Sequence, residues 1–267
     1  MPRTLRITTR NATFQQWQAL LVNRTKRQRA GEFLVQGVRP ISQAVEHGHE
    51  IRMLLNAEGP GLSRWARELI DTARAPRALL SAELMRELGG KDEETPELLA
   101  VVGLPADDPE RISVRPDLLV VVFDRPTTPG NIGTLVRSAD AFGAAGVIVT
   151  GHAADPYDPR AVRASTGSLF ALPVVRVPSH REVVAWAEPL GVQMVGTDET
   201  GAVEIAEHDL TGPTVLAVGN ETQGLSAAWR EACDQIVRIP MVGAASSLNA
   251  GAAGTVALYE AARQRRS

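Results

Sequence analysis

The sequence has very little cysteine and no long apolar run, and both absences exclude classes of protein. Cys233 is the only cysteine among 267 residues, so an intrachain disulfide is impossible and a cysteine-based zinc site has too few ligands. No stretch approaches the ~18 to 20 uncharged residues of a membrane helix, and the first residues lack the apolar core of a signal peptide. We therefore expect a soluble, cytoplasmic protein without a bound metal.

The fingerprints of nucleotide-binding α/β enzymes are also missing. No G-x-G-x-x-G follows a strand-like run, and G-x-x-x-x-G-K-[ST] does not occur. The five histidines show no spacing typical of a metal site or a catalytic triad. These absences argue against a Rossmann-type or P-loop enzyme.

Positive charge is concentrated at the amino-terminal end. Residues 1–39 carry eight basic side chains against the single acid Glu32, a net charge of +7 that leaves −10 for the rest of a chain whose total is −3. Such a basic segment on an acidic body is suited to binding a polyanion, although a solvated basic helix face is the alternative. The candidate RNA contacts are Arg24, Lys26, Arg27 and Arg29.

Hydrophobic periodicity predicts a small α/β domain over residues 1–104. Residues 11–22 are expected to form a helix capped by Asn11, with Phe14, Trp17 and Leu20 on its apolar stripe. Strands are predicted at 32–38, 51–55 and 98–103, and helices at 40–47, 62–74 and 81–88. Residues 105–116 contain turn formers and charge without apolar periodicity, which predicts a linker.

The remaining residues, 117–267, predict a second α/β domain. Strand-like runs at 118–123, 146–150, 192–196, 215–218 and 236–239 alternate with helical patterns. This alternation favours a mostly parallel sheet with helices on both faces.

Three loops rich in glycine and asparagine follow strands of this second domain. The first runs from residue 129 to Arg137, the second covers 219–225, and the third joins 239–241 to 247–249. Each follows an apolar run and precedes a helical pattern. The loops therefore place backbone amides and small polar side chains at the carboxyl ends of strands, where open α/β sheets bind ligands.

The polar side chains of these loops also have ordinary structural interpretations. Arg137 lies off the apolar stripe of its helix, where it is free to face a cleft or to pair with Asp140 three residues later. A role as helix caps or capping acids is the alternative for Asn131, Glu221, Ser247 and Asn249.

Taken in order, the loops resemble the three motifs of the SpoU (TrmH-type) branch of the SPOUT RNA ribose 2′-O-methyltransferases. The matching residues are Asn131, Gly133 and Arg137, then Gly219, Glu221 and Gly224, then Ile239, Pro240, Met241, Gly243, Ser247, Leu248 and Asn249. Residues 162–167 and 172–173 are also similar to the family. After the third motif the family often continues with valine and serine, whereas this chain has Ala250 and Gly251, which marks a sub-branch.

The resemblance implies a small α/β RNA-binding domain followed by a SPOUT domain with a C-terminal trefoil knot, and a homodimer that completes the active site. It also implies S-adenosylmethionine as cofactor, with backbone contacts around Thr197, Gly219, Ile239, Met241 and Leu248. The catalytic and substrate-orienting residues implied by the family are Arg137, Asn131, Glu221, Ser247 and Asn249.

Residues 14–21 and 151–155 look most similar to actinobacterial ribosomal RNA methyltransferases of the antibiotic-resistance kind. That likeness implies 23S ribosomal RNA as the substrate and protection from an antibiotic. The alternatives are a housekeeping ribosomal or transfer RNA methyltransferase and a non-catalytic RNA-binding protein.

Overall fold

Residues 4–59, 61–89 and 95–266 are described in the computed structural model. The chain divides into two compact units, one formed by Met1–Pro105 with Tyr157–Ala171 and the other by Ala106–Pro156 with Leu172–Ser267. The strands are β1 (Thr4–Ile7), β2 (Glu32–Gln36), β3 (Ile51–Ala57), β4 (Arg77–Leu80), β5 (Leu98–Gly103), β6 (Leu119–Asp124), β7 (Gly146–Thr150), β8 (Val174–Val177), β9 (Gln193–Thr197), β10 (Val203–Glu204), β11 (Thr214–Val218) and β12 (Gln235–Arg238). The helices are α1 (Ala12–Val22), α2 (Arg24–Ala30), α3 (Val38–Glu46), α4 (Arg64–Ala73), α5 (Ala82–Gly89), α6 (Pro129–Ala141), α7 (Pro159–Ser165), α8 (Ser168–Ala171), α9 (His180–Ala187), α10 (Ala227–Ala232) and α11 (Ala250–Gln264).

The first unit is built on a mixed sheet of order β1-β4-β3-β5-β2. Asn11 caps α1 as predicted, because its side chain accepts a hydrogen bond of 3.0 Å from the Phe14 amide. The apolar stripe of α1, which includes Phe14, Trp17 and Leu20, is buried in one core cluster with residues of α5 and of the sheet. The sequence interpretation missed β1 and β4, each only four residues long, and the basic helix α2.

Residues Tyr157–Ala171 belong to this first unit, although the sequence placed them in the second domain. The ring of Phe33 in β2 lies 4.9 Å from the ring of Tyr157 and 6.1 Å from that of Phe170. His49 also contacts Phe170, edge to face. These aromatic contacts join residues more than a hundred positions apart, and local periodicity carries no information about them.

The second unit contains a parallel sheet of order β10-β12-β9-β11-β6-β7-β8, as predicted apart from the short strands β8 and β10. Val215 and Ala217 of β11 share a core cluster with Val183 of α9 and with α10. Val218 faces the other way, towards Gly254 of α11. Successive side chains of a strand point to opposite faces, so helices cover both faces, and this explains the almost continuous apolar sequence of the strands.

The predicted linker is tied to the second unit. Ile112 is 2% exposed and packs into the core of that unit. Asp107 accepts hydrogen bonds from the backbone amide and from the Nε of Arg176, at 3.1 and 2.8 Å. The segment is therefore anchored to the second unit, although its polar turn residues predicted a linker.

Candidate active site

A cavity of about 400 Å³ lies at the carboxyl ends of β9, β11 and β12, within the second unit. This volume falls in the range of small-molecule sites, roughly 300 to 1,000 Å³. All five residues predicted to contact a cofactor line it, namely Thr197, Gly219, Ile239, Met241 and Leu248. Glu221 and Ser247, two of the predicted catalytic residues, also line it.

The second loop is a tight turn that requires glycine at its start. A Cβ added to Gly219 would collide with the backbone of Gly224 and Leu225. Asn220 and Gly224 exchange backbone hydrogen bonds of 2.9 and 3.1 Å, and the Asn220 side chain accepts a further one from the Thr222 amide at 2.9 Å. Gly219 was predicted to let a ligand approach the backbone. In the structure, glycine is needed at this position because the backbone of Gly224 and Leu225 occupies the space of a side chain.

The Glu221 carboxylate holds the second loop against the first. Its Oε2 accepts from the amide and hydroxyl of Thr127 at 2.8 and 3.0 Å, and its Oε1 accepts from the Thr128 amide and from Asn131 Nδ2 at 3.0 and 3.1 Å. Burial favours the neutral form of this carboxyl, but the hydrogen bonds, led by the Thr127 amide, outweigh it and lower the pKa of Glu221. The ionised Glu221 therefore connects the second loop to the two backbone amides that directly precede α6.

Asn131 continues this chain of hydrogen bonds to the third loop. Its Oδ1 accepts from Asn249 Nδ2 at 3.0 Å, and Asn249 Oδ1 in turn accepts from the Ala252 amide at 3.2 Å. Asn249 is thus the cap of α11, whereas Asn131 lies inside α6, which Thr128 precedes as N-cap residue. The three loops are consequently connected through Glu221, Asn131 and Asn249.

Arg137 lies outside this network. It is exposed on α6, and its side chain makes no hydrogen bond or ion pair with any residue that the structure describes; the alternative pairing with Asp140 is not formed. It is not among the residues that line the cavity. A cation in this position is available to a ligand from outside.

Sequence reasoning missed a group of charged residues in the cavity wall. Asp198 accepts from the amide and hydroxyl of Thr200 at 3.0 and 2.7 Å, and Arg230 of α10 pairs with Asp198 at 2.5 Å. Burial opposes ionisation of Asp198, but these hydrogen bonds lower its pKa. Asp198 and Glu199 follow β9 directly, so the rule of strand carboxyl ends would have found them. Arg230 carries no such local signal.

Arg125 connects the second loop to the end of β6. It has a left-handed backbone with φ of 50°, which is uncommon for a residue with a side chain. Its Nε and Nη2 donate to the buried Asp124 at 3.1 and 3.0 Å, and its Nη1 donates to Gln223 at 3.0 Å. Its carbonyl accepts from Asn220 Nδ2 at 2.6 Å. The Asp124–Arg125 pair thus joins the end of β6 to the second loop.

The predicted RNA-binding residues all lie on α2 of the first unit, and one of them is wrongly assigned. Arg27 is only 2% exposed; its Nη1 donates to the Leu20 carbonyl at 2.7 Å and its Nη2 lies 3.8 Å from Asp158. Its guanidinium lies in the interior of the unit, where RNA cannot reach it. Arg24, Lys26 and Arg29 are exposed.

Among residues 4–59, 61–89 and 95–266, no three His, Cys, Asp or Glu side chains are grouped so that they could hold a metal ion. Within the same ranges, no helix is both long and apolar enough to cross a membrane. Cys233 ends α10, and burial raises the pKa of its thiol to about 12, so it has no character of a reactive cysteine.

Comparison with known proteins places this site in a family. The model of the SpoU L30e-like domain matches residues 11–100, and that of the SpoU rRNA Methylase family matches residues 118–259. The 23S rRNA (uridine(2479)-2′-O)-methyltransferase of Streptomyces viridochromogenes is 60% identical over 99% of this chain and 94% of its own length. The crystal structure of the SpoU methyltransferase AviRb from that organism, in complex with the cofactor AdoMet, is 60% identical, covers 97% of this chain and 99% of its own, and superposes with a TM-score of 0.93.

A more distant structure shares the same fold. The AdoMet-bound rRNA methyltransferase of Sinorhizobium meliloti is 27% identical, with a TM-score of 0.88 over 97% of this chain and 98% of its own. The resemblance inferred from the three loops is therefore confirmed over the whole chain. With the methylase match covering residues 118–259, and a 60% identical relative matched along almost its full length, the chain belongs to the SpoU rRNA methylase family.

Proposed function

We propose that this protein is an S-adenosylmethionine-dependent RNA ribose 2′-O-methyltransferase that acts on 23S ribosomal RNA. The observation that carries the proposal is the cavity at the strand ends, lined by Thr197, Gly219, Ile239, Met241 and Leu248 and adjoined by the hydrogen-bonded Glu221. The Streptomyces relative, named as a 23S rRNA 2′-O-methyltransferase, supports the choice of substrate.

The chemistry of the cavity wall fits this cofactor. Asp198, Glu199 and Glu221 supply carboxylates, and Arg230 is the cation among the lining residues. Arg230 is already paired with Asp198, so the wall keeps an excess of negative charge, which favours a ligand that carries a sulfonium and an ammonium group. Bound there, S-adenosylmethionine supplies an activated methyl group to the ribose oxygen.

The chain's own residues would mainly position the reactants. An in-line displacement needs the ribose 2′-oxygen held in the direction of the methyl carbon, and a fixed geometry can contribute much of the rate. The hydrogen bonds that connect Glu221, Asn131 and Asn249 fix the first and third loops relative to each other. We assign Arg137 to the phosphate of the target nucleotide and to stabilisation of the developing alkoxide, because it is exposed and has no partner within the described residues.

We further propose that the enzyme is a homodimer with the family's C-terminal trefoil knot, and that the dimer completes the active site. Exposed apolar side chains on α11 support an interface: Val256 is 38% and Tyr259 is 55% exposed, and Tyr259 packs against Phe142 beside α6. A second chain that covers these side chains would remove their apolar surface from water. Light scattering coupled to size exclusion measures the mass; a monomer at micromolar concentration would contradict the proposal.

The direct test is methyl transfer from labelled S-adenosylmethionine into 23S, 16S and transfer RNA transcripts and into large ribosomal subunits, with mapping of the modified ribose. We expect label in 23S RNA that is lost in Arg137→Ala but kept in Arg181→Gln, which removes an exposed arginine of α9. Label found only in transfer RNA or 16S RNA would contradict 23S RNA as the substrate and would favour a housekeeping methyltransferase. Cofactor binding without transfer to any RNA or subunit would refute the enzymatic proposal.

The biological setting follows from the substrate. We propose that the protein acts in the cytoplasm, and that its methylation of 23S RNA protects the ribosome from an antibiotic. We expect expression of the protein to raise the inhibitory concentration of an antibiotic that targets the large subunit, and Arg137→Ala to abolish that increase. Unchanged sensitivity to a panel of such antibiotics would favour a housekeeping role.

A further inference from the structure

Arg125 directly follows β6 and has a left-handed backbone, with φ of 50°. A residue with a Cβ loses free energy in this conformation, whereas glycine adopts it readily. Strained backbone of this kind persists where surrounding contacts hold it in place, and it is concentrated at functional sites. The contacts of Arg125 therefore indicate what the strained conformation contributes.

The carbonyl of Arg125 is attached to the second loop. Asn220 Nδ2 donates to this carbonyl at 2.6 Å. Asn220 Oδ1 accepts from the Thr222 and Gln223 amides at 2.9 and 3.1 Å, so the same side chain also holds the turn of the loop. If Arg125 left the left-handed region, its carbonyl would point elsewhere and Asn220 would lose this acceptor. The backbone conformation of Arg125 is thus coupled to the shape of residues 219–225.

The side chain of Arg125 makes a second attachment to the same loop. Its Nη1 donates to Gln223 Oε1 at 3.0 Å, while its Nε and Nη2 donate to the buried Asp124. Asp124 Oδ2 also accepts from the amide of Ser226, the cap of α10, at 3.0 Å. A Cβ at Gly151 would lie only 2.7 Å from the Cγ of Arg125, so the stem of the arginine packs directly on this glycine. The guanidinium therefore connects the end of β6 to the loop that precedes α10.

Asn220 and Gln223 both line the cavity, whereas Arg125 is not among the lining residues. We propose that Arg125 is a positioning residue for cofactor binding, which holds the second loop in the conformation that forms the cavity wall. Its carbonyl acts on Asn220 and its guanidinium on Gln223, and Glu221 lies between these two points in the chain. The apparent Kd is the intrinsic Kd divided by the fraction of molecules in the competent conformation, so a loosened loop weakens binding. The inference rests on the proposed function, which makes S-adenosylmethionine the ligand.

The test compares Arg125→Gly with Arg125→Ala in the full-length protein. Both variants lose the same side-chain contacts, but only alanine disfavours the left-handed backbone. We expect S-adenosylmethionine to bind roughly threefold more weakly to Arg125→Gly and roughly tenfold more weakly to Arg125→Ala. Arg125→Lys, which keeps a cation beside the buried Asp124, should bind the cofactor more tightly than Arg125→Ala. Affinity is measured by titration calorimetry at a temperature where circular dichroism shows each variant to be folded.

Arg74 provides a matched control for the backbone effect. It also has a left-handed backbone, with φ of 49°, and it ends α4 in the first unit. Arg74→Gly and Arg74→Ala should therefore differ from each other in the free energy of unfolding, while both keep the cofactor affinity of the unchanged protein.

Unchanged cofactor affinity in Arg125→Gly and Arg125→Ala, with a loss of stability alone, would overturn the proposal and leave the enzymatic function intact. Equal affinities of these two variants would also overturn it, because the strained backbone would then have no part in holding the loop. If Arg125→Ala does not fold, unchanged affinity in both Arg125→Gly and Arg125→Lys would have the same meaning. Failure of the unchanged protein to bind S-adenosylmethionine would instead refute the proposed function, and this inference with it.

Discussion

The replacement Glu221→Gln separates a positioning role of this residue from a purely structural one. In the most favourable orientation, the new amide oxygen keeps the two hydrogen bonds from Thr127, while the amide nitrogen faces two donors, the Thr128 amide and Asn131 Nδ2. Hydrogen bonds to a charged group contribute about 1.5 to 3 kcal/mol each. Because the site is partly open to water, we take about 2 to 3 kcal/mol as the total loss.

If the whole of this free energy is added to the activation barrier of methyl transfer, kcat decreases roughly 30- to 150-fold, at about 1.4 kcal/mol per tenfold. The second change Asn131→Asp offers the new amide nitrogen an acceptor and still accepts from Asn249 Nδ2. It should restore about half of the lost free energy, because the Thr128 amide stays without a partner. Asn131→Asp alone places two carboxylates together and should be as harmful as Glu221→Gln.

The assay is single-turnover methyl transfer to 23S RNA for both single variants and the double variant, with the affinity for S-adenosylmethionine measured separately. Glu231→Gln is the matched control, since Glu231 is an exposed carboxylate of α10 that does not line the cavity and accepts no hydrogen bond from the described residues. A double variant no better than the worse single variant would refute the hydrogen-bond explanation. So would an equal loss of activity in Glu231→Gln.

Three further outcomes follow from the second unit. Arg265 donates to several carbonyls near the start of β6 and β11, so Arg265→Lys should lower the free energy of unfolding by about 2 to 3 kcal/mol in urea titrations. Arg263→Lys, two residues earlier, keeps a half-exposed cation that can still pair with Glu260 and should cost less than about 1 kcal/mol, and equal effects would contradict the assignment. Cys233, with its thiol pKa raised to about 12 by burial, should resist alkylation at pH 8 until urea unfolds the protein. Since the folded pKa of Asp198 is lowered, its stabilising contribution is complete above the ordinary carboxyl pKa of about 4 and is lost as the pH falls through the lowered value. Denaturation at a series of pH values should therefore show less acid sensitivity in Asp198→Asn.

Local rules predicted the position of the candidate site and one helix cap from the sequence. The strand-to-loop pattern located the cavity, because parallel strands bring their carboxyl ends to one edge, and all five predicted cofactor contacts line it. Asn11 was predicted as a cap, and its side chain caps α1. These features depend on residues close together in the chain, and a single sequence contains that information.

What the sequence did not reveal depends on contacts between distant residues. The charge of Arg27 suggested an RNA contact, but its guanidinium turns inward to the Leu20 carbonyl. The stacking of Phe33 on Phe170 assigns residues 157–171 to the first unit, and no periodicity signals such a partner. Glu221 was predicted as a catalytic or a capping acid, and only the tertiary structure identifies its four donors.

The fate of the ribose proton follows from which groups are already engaged. Glu221 is a poor base, because its oxygens are occupied by four donors and its pKa is lowered. Arg137 is no better in this role, since a guanidinium stays cationic in proteins and has no lone pair to accept a proton. We therefore infer that the proton leaves to water or to the phosphate that Arg137 holds, while the positive charge stabilises the alkoxide as it forms. In this mechanism Glu221 holds the loops in position and Arg137 supplies positive charge. We therefore expect kcat to fall when either side chain is replaced. Because the pKa of Glu221 is lowered, its titration should not make kcat depend on pH near neutrality.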